Sequence, residues 1–192
     1  MVGVGDVTEL RAVRLDGPRV RLRKARDDDA EGLIETQTDE RLRRYLGGPR
    51  PVDDVRAVIE SVGAATLLEA PGCYVVAAGD SDEMLGTVTL DRRRNDVPGH
   101  LDPGGYELEL SYVFRPHAWG RGYACEAARL LLRYAAGELD DQPVVIVTQT
   151  ANRASLRLAK RLGFSVVSTF EQYGAEQALA TAQLATFRRP EP

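Results

Sequence analysis

Residues Tyr106 to Ala128 read YELELSYVFRPHAWGRGYACEAA, and this stretch decides the fold. From Tyr106 to Phe114 apolar and polar residues alternate, the period of a strand with one buried face. Pro116 then fixes a turn, Gly120 and Gly122 flank Arg121, and Tyr123-Ala124-Cys125-Glu126-Ala127 continues directly as helix. A strand, a glycine loop and a helix start in that order gather backbone N–H groups at a helix N-terminus. The helix dipole favours negative charge there, which makes a site for a phosphate or pyrophosphate. The plainer reading is a tight turn without a ligand, because short glycine patterns are common. The loop is no P-loop, since no Gly-Lys-Ser/Thr follows, and it lacks the third spaced glycine of the dinucleotide fingerprint.

Working outward, Val20 to Arg23 alternates apolar with basic as a short strand. Asp27 or Asp28 can cap a helix carrying Ala30, Leu33, Ile34 and Leu42, and Gly47-Gly48-Pro49 breaks it. Pro51 suits a second helix start, with Val55, Val58, Ile59 and Val62 at helical spacing before Gly63. Tyr74 to Ala78 and Met84 to Leu90 read as a hairpin around Gly79, Asp80, Ser81 and Asp82. Beyond the glycine loop the helix is expected to end near Gly137. Val144 to Val147 is a β-branched run suited to a strand buried on both faces. A helix from Asn152 to Leu162 closes at Gly163, and strands near 164–170 and 178–187 follow. Antiparallel neighbours first and alternating strands and helices later define an α/β fold around one mixed sheet. The expected division is a loosely attached lead-in, 1–18, a domain over 19–187 and a tail, 188–192.

With 192 residues, 43% apolar and 28% charged, the chain has the composition of a soluble globular domain. A net charge of −4 argues against a nucleic-acid partner. Cys73 and Cys125 match no zinc or redox spacing, and two histidines without an acidic cluster leave no metal site to propose. The first residues carry charges in place of a secretion signal's apolar core, and no apolar run approaches the ~20 residues of a membrane helix. A cytoplasmic protein is the expectation, as a monomer or homodimer.

The segment His117-Ala118-Trp119-Gly120-Arg121-Gly122 resembles the acyl-coenzyme A loop, Gln/Arg-x-x-Gly-x-Gly/Ala, of the GNAT superfamily of N-acetyltransferases. It departs only at His117. Asn152-Arg153-Ala154-Ser155 with Arg161-Leu162-Gly163-Phe164 is similar to the family's Asn-x-x-Ser/Ala helix ending in Leu-Gly-Phe. Glu109-Leu110-Ser111-Tyr112 and Trp119 to Ala124 look most like the Rim-type branch, which acetylates ribosomal-protein N-termini. The opening Leu22 to Ala30 suits that branch too. The resemblance covers roughly residues 19–187 and implies a mixed, mostly antiparallel sheet of six to seven strands with about four helices. It also implies acetyl transfer from acetyl-coenzyme A to a primary amine, on a protein N-terminus or a small molecule, within a ternary complex and without a metal. The alternative is a regulatory module that binds acyl-coenzyme A without turnover.

The resemblance also assigns roles. Backbone groups of Val113 and Phe114 would meet the pantetheine arm, and N–H groups from Trp119 through Gly120, Arg121, Gly122 and Tyr123 to Ala124 would hold the pyrophosphate. Asn152 would hydrogen-bond the pantetheine, and Ser155 would sit near the sulfur and protonate the leaving thiolate; as a plain N-cap and first-turn serine the pair needs no such role. Ala159 stands where many relatives have a tyrosine acid, so that acid is excluded here. If the His117 side chain binds phosphate, affinity becomes pH-dependent.

Glu107 and Glu109 share a strand face with Ser111, either as solvated carboxylates or as a base site. Their mutual repulsion is expected to raise one of the two pKa values. Glu109, which matches the Glu-x-Gly-Tyr word of the branch, is the candidate base, with Glu107 in reserve. An α-amine of pKa near ~8 costs about 1 kcal/mol to deprotonate at neutral pH, against about 4–5 kcal/mol for a lysine near ~10.4. A water-relayed base therefore suffices for the former. Trp119 and Cys125 read as packing residues, and His100 as a loop histidine with no ligand-like neighbour.

Overall fold

The computed structural model describes residues 7–188. Its strands and helices run β1 (Arg14–Asp16), β2 (Val20–Arg23), α1 (Ala30–Thr38), α2 (Glu40–Arg43), α3 (Val52–Val62), β3 (Cys73–Ala78), β4 (Met84–Arg92), β5 (Leu108–Phe114), α4 (Tyr123–Glu138), β6 (Pro143–Gln149), α5 (Arg153–Leu162), β7 (Ser165–Gln172) and β8 (Ala175–Gln183). All eight strands join one sheet in the order β1-β2-β3-β4-β5-β6-β8-β7. Every pairing is antiparallel except β5 with β6. The mixed sheet expected from the sequence is present, with more strands than expected. The added strand lies in the stretch read as a loose lead-in. That stretch is not loose: β1 pairs with β2, and Leu10 is fully buried. The carbonyl of Ala12 accepts from Tyr74 Oη at 2.8 Å, and its N–H donates to Tyr134 Oη at 2.9 Å. Of the expected tail, only Arg188 lies within the described residues.

Successive residues of a strand face opposite sides, so the sheet has two cores. Tyr74 and Val76 of β3 pack with the α4 and α5 side, and Val75 packs with α1 and α3. Helix α4 presents Ala127, Ala128, Leu131, Leu132, Ala135 and Ala136 to the sheet, and its small residues let it lie close. It runs through Gly137 to Glu138, past the expected end, and buried Leu139 follows as its C-cap. Pro51 does precede α3, which buries Val55 and Ile59. The end of β2 is tied to the start of α1 by charge. Arg23 and Asp29, both buried, form a two-bond ion pair at 2.7 and 2.9 Å, and Asp29 also accepts the N–H of Arg26 at 2.8 Å. Deleting one partner leaves the other charge buried and unpaired. Asp29→Ala is expected to destabilise the fold by about 3–5 kcal/mol, read as a lower denaturant midpoint.

Candidate active site

Strands β5 and β6 pair at Leu108 with Val144 and at Glu109 with Val145, and at no later residue. β5 remains bonded to β4 up to Phe114, and β6 to β8 up to Gln149. The two parallel strands therefore separate into a wedge. Glu109 lies at its apex, and its mouth is five residues or about 17 Å further along β5. The glycine loop sits at that mouth.

The ladder settles which backbone groups face the wedge. Arg115 N–H donates to the Leu85 carbonyl at 2.8 Å, and Gly86 lies opposite Phe114. Hydrogen-bonded and non-bonded pairs alternate in an antiparallel ladder, so Glu109, Ser111 and Val113 turn their N–H and C=O groups toward β4. Those of Leu110, Tyr112 and Phe114 face the wedge. Val113, expected to offer its backbone to a pantetheine arm, is committed to the sheet instead. Phe114 does face the wedge, but its carbonyl already accepts the Trp119 indole N–H at 2.5 Å. Trp119 is thus a latch between loop and strand, half exposed, and not a packing residue. Its own backbone N–H is taken by the Pro116 carbonyl at 3.2 Å.

The remaining loop amides are available. Among the described residues, no hydrogen bond engages the N–H of Gly120, Arg121 or Gly122, and Tyr123 and Ala124 open α4 behind them. Gly120 and Gly122 have φ of +73° and +82°, a region that side chains with a Cβ adopt rarely. A Cβ on Gly120 would meet nothing within 4 Å. Backbone conformation and open space above it, not protein packing, account for that glycine. Arg19 braces the loop from outside. Its Nη1 donates to the Arg121 carbonyl at 3.0 Å, its guanidinium pairs with Glu126 at 2.8 Å, and it lies 5.1 Å from the Tyr123 ring centre.

On the far side of the wedge, Asn152 caps α5 through its Oδ1, which accepts the Ser155 N–H at 3.1 Å. Ser155 is buried, and its Oγ lies 2.7 Å from Tyr112 Oη. Sequence reasoning named Tyr112 only within the Glu109-Leu110-Ser111-Tyr112 word and gave it no role. Forty-three positions separate it from Ser155, and no local pattern announces the contact. Burial pushes the Tyr112 phenol above its ordinary pKa, with the Ser155 hydrogen bond acting the other way. Cys125 packs half-buried against the main core.

The two glutamates have separate partners. Glu109 Oε2 accepts from Arg93 Nη1 at 2.8 Å, while Oε1 makes no hydrogen bond among the described residues. Arg93 is itself buried, its guanidinium held by the carbonyls of Gly99 and Pro98. Glu107 is buried just before β5. It lies 2.7 Å from His100 Nδ1 and accepts the Leu101 N–H at 2.6 Å. His100 thus pairs with a carboxylate, a contact the sequence reading did not anticipate. Burial disfavours the Glu107 carboxylate, but the bonds from His100 and the backbone outweigh it and hold its carboxyl below the ordinary value. Repulsion between neighbouring carboxylates does not raise it. A folded-state pKa below the unfolded one stabilises the bonded loop above about pH 4.3, and the stabilisation is lost as pH falls through the folded value. Protection of the Leu101 amide from hydrogen exchange is expected to hold at neutral pH and to fail in that acid range.

His117 Nε2 lies 3.4 Å from Glu83 Oε1 at the loop's outer side. Among the described residues no group of three or more His, Cys, Asp or Glu side chains is placed to hold a metal ion, and no helix is long and apolar enough to cross a membrane.

A wedge between parallel strands, with a loop of unengaged amides at its mouth, suits an extended ligand that carries a phosphate at one end. A family model described as the acetyltransferase (GNAT) domain matches residues 19–165. The chain belongs to this GNAT acetyltransferase family. It is similar to the uncharacterized N-acetyltransferase YoaA of Bacillus subtilis (strain 168), 25% identical over 162 residues that cover 83% of this chain and 86% of the relative. Among solved structures it is similar to a GNAT-family acetyltransferase from Bacillus anthracis, with TM-score 0.70, 19% identity and coverage of 89% and 98% of the two chains. It is also similar to RimL, a ribosomal L7/L12 alpha-N-protein acetyltransferase, with TM-score 0.64, 16% identity and coverage of 88% and 93%.

Proposed function

We propose that this acetyltransferase moves acetyl from acetyl-coenzyme A to a primary amine, a protein N-terminus or a small-molecule amine, by direct attack in a ternary complex. The working unit is the domain over 19–187 together with β1, which pairs onto its sheet. The observation that carries the reading is the opening of β5 from β6 directly after Glu109, with unengaged glycine amides at the other end of the gap.

The residues present fit the co-substrate, whose thioester supplies an activated acyl group. Gly120, Arg121, Gly122, Tyr123 and Ala124 would hold its pyrophosphate through backbone N–H groups at a helix start. The wedge-facing backbone of Tyr112 and the Phe114 N–H, with the Asn152 side chain, would hold the pantetheine. An N–H on the same strand edge is suited to polarise the thioester carbonyl. Glu109 would accept the proton of the amine through Oε1. It stands three residues from Tyr112, roughly 10 Å along the strand, on the opposite face of the sheet. A relaying water therefore fits better than direct contact. Relayed removal suits an α-amine, which sheds its proton more cheaply than a lysine. The RimL likeness supports a protein N-terminus as acceptor, within the Rim-type branch.

Release of free thiol from acetyl-coenzyme A against a panel of peptide N-termini and small amines tests the reading. Acceleration by at least one amine is the expected result. Binding of acetyl-coenzyme A with no acceleration by any amine would replace the enzyme with a binding module.

A further inference from the structure

We propose that Tyr112 is a positioning residue that aims the Ser155 hydroxyl proton at the sulfur of coenzyme A, an inference that rests on the acetyl-transfer reading above. The geometry begins with the 2.7 Å contact between Tyr112 Oη and Ser155 Oγ, which spans from β5 to α5 across the wedge. Either oxygen can donate, but a phenol is the stronger acid and so the better donor to an alcohol oxygen. With Tyr112 donating, Ser155 Oγ is the acceptor and keeps its own O–H for another partner. Among the described residues nothing else accepts that proton. Asn152 fixes the Ser155 backbone through the cap, and the packing around Tyr112 leaves its phenol little freedom. Chained hydrogen bonds polarise one another, so the tyrosine also strengthens what the serine donates.

In the reaction a C–N bond forms and the C–S bond breaks, its electron pair staying on sulfur. The ammonium first gives one proton to Glu109 through water, nitrogen gives a second to solvent once the C–N bond has formed, and sulfur finally gains one from solvent. Ser155 donates a hydrogen bond to the departing sulfur, and Tyr112 keeps its proton throughout. The titratable and polar groups facing Tyr112 are the Ser155 hydroxyl from α5 and the Cys125 thiol from α4. Neither is a cation or an anion that would compete for the role.

The test needs no turnover. Calorimetric Kd values for coenzyme A and for desulfo-coenzyme A, at about pH 7 and about pH 9.5, isolate the thiol's contribution as it ionises. In the wild type, coenzyme A is expected to gain about tenfold over the desulfo analogue as pH rises. Tyr112→Phe is expected to abolish that gain, Ser155→Ala to do the same, and the double variant to lose no more than either. The kcat for acetyl transfer falls roughly ten- to a hundredfold in Tyr112→Phe, with KM for acetyl-coenzyme A unchanged. A wild-type pH gain retained in Tyr112→Phe overturns the inference, as does a gain retained in Ser155→Ala should the tyrosine variant not fold. Failure of the amine panel strikes the acetyl-transfer reading alone, because the thiol comparison is made without an acceptor.

Discussion

Replacing Glu109 with glutamine is expected to lower kcat by roughly 10²–10⁴ while leaving the Kd for acetyl-coenzyme A unchanged. Glutamine has nearly the same shape, and its side-chain carbonyl can still accept from Arg93 Nη1, so the apex of the wedge keeps its architecture. What disappears is the capacity to take a proton. Steady-state rates with a peptide α-amine, beside calorimetry with acetyl-coenzyme A, separate the two effects. An unchanged rate would reject Glu109 as the base. Glu107→Gln provides the contrast. That carboxylate is buried and bonded to His100 and the Leu101 N–H, so its loss is expected to loosen the loop before β5 and to show first as lower stability.

The second large effect belongs to Gly122. Its φ of +82° suits glycine, and a β-branched residue there is a steric outlier. A Cβ would lie 3.4 Å from Arg19 Nη2, the movable end of a long side chain, so the protein itself leaves room for it. The damage falls on the backbone conformation that aims the loop amides, and on the space a phosphate needs. Gly122→Val is expected to weaken acetyl-coenzyme A binding at least a hundredfold, about 2.7 kcal/mol. Gly137→Ala is the control. Gly137 lies inside α4 with nothing within 4 Å of a Cβ, so alanine there leaves binding intact and adds up to about 1 kcal/mol of stability.

Features written locally were legible in the sequence. Alternation marked β5, the continuous Val144–Val147 run marked a strand buried in mid-sheet, and the glycines at 120 and 122 marked the loop between strand and helix. Asn152 and Gly163 bounded α5 as read. Features that depend on distant partners were not legible. Nothing around Tyr112 points to Ser155, and nothing around Glu109 points to Arg93. The pairing of Glu107 with His100 needs the loop to fold back over a buried carboxylate, which no periodicity records. The orientation of Val113 escaped for another reason. Strand period tells which side chains share a face but not which edge a given N–H addresses, and only the register with β4 fixes that. β1 was hidden because three residues are too few to show a period.

In the proposed reaction, amides at the mouth of the β5–β6 wedge grip a diphosphate and so orient a thioester. Calorimetric titration of the wild type with acetyl-coenzyme A tests it most directly. One saturable site per chain, at least about a hundredfold weaker in Gly122→Val and retained in Glu109→Gln, is the expected outcome. No heat and no thermal shift in the wild type would contradict it.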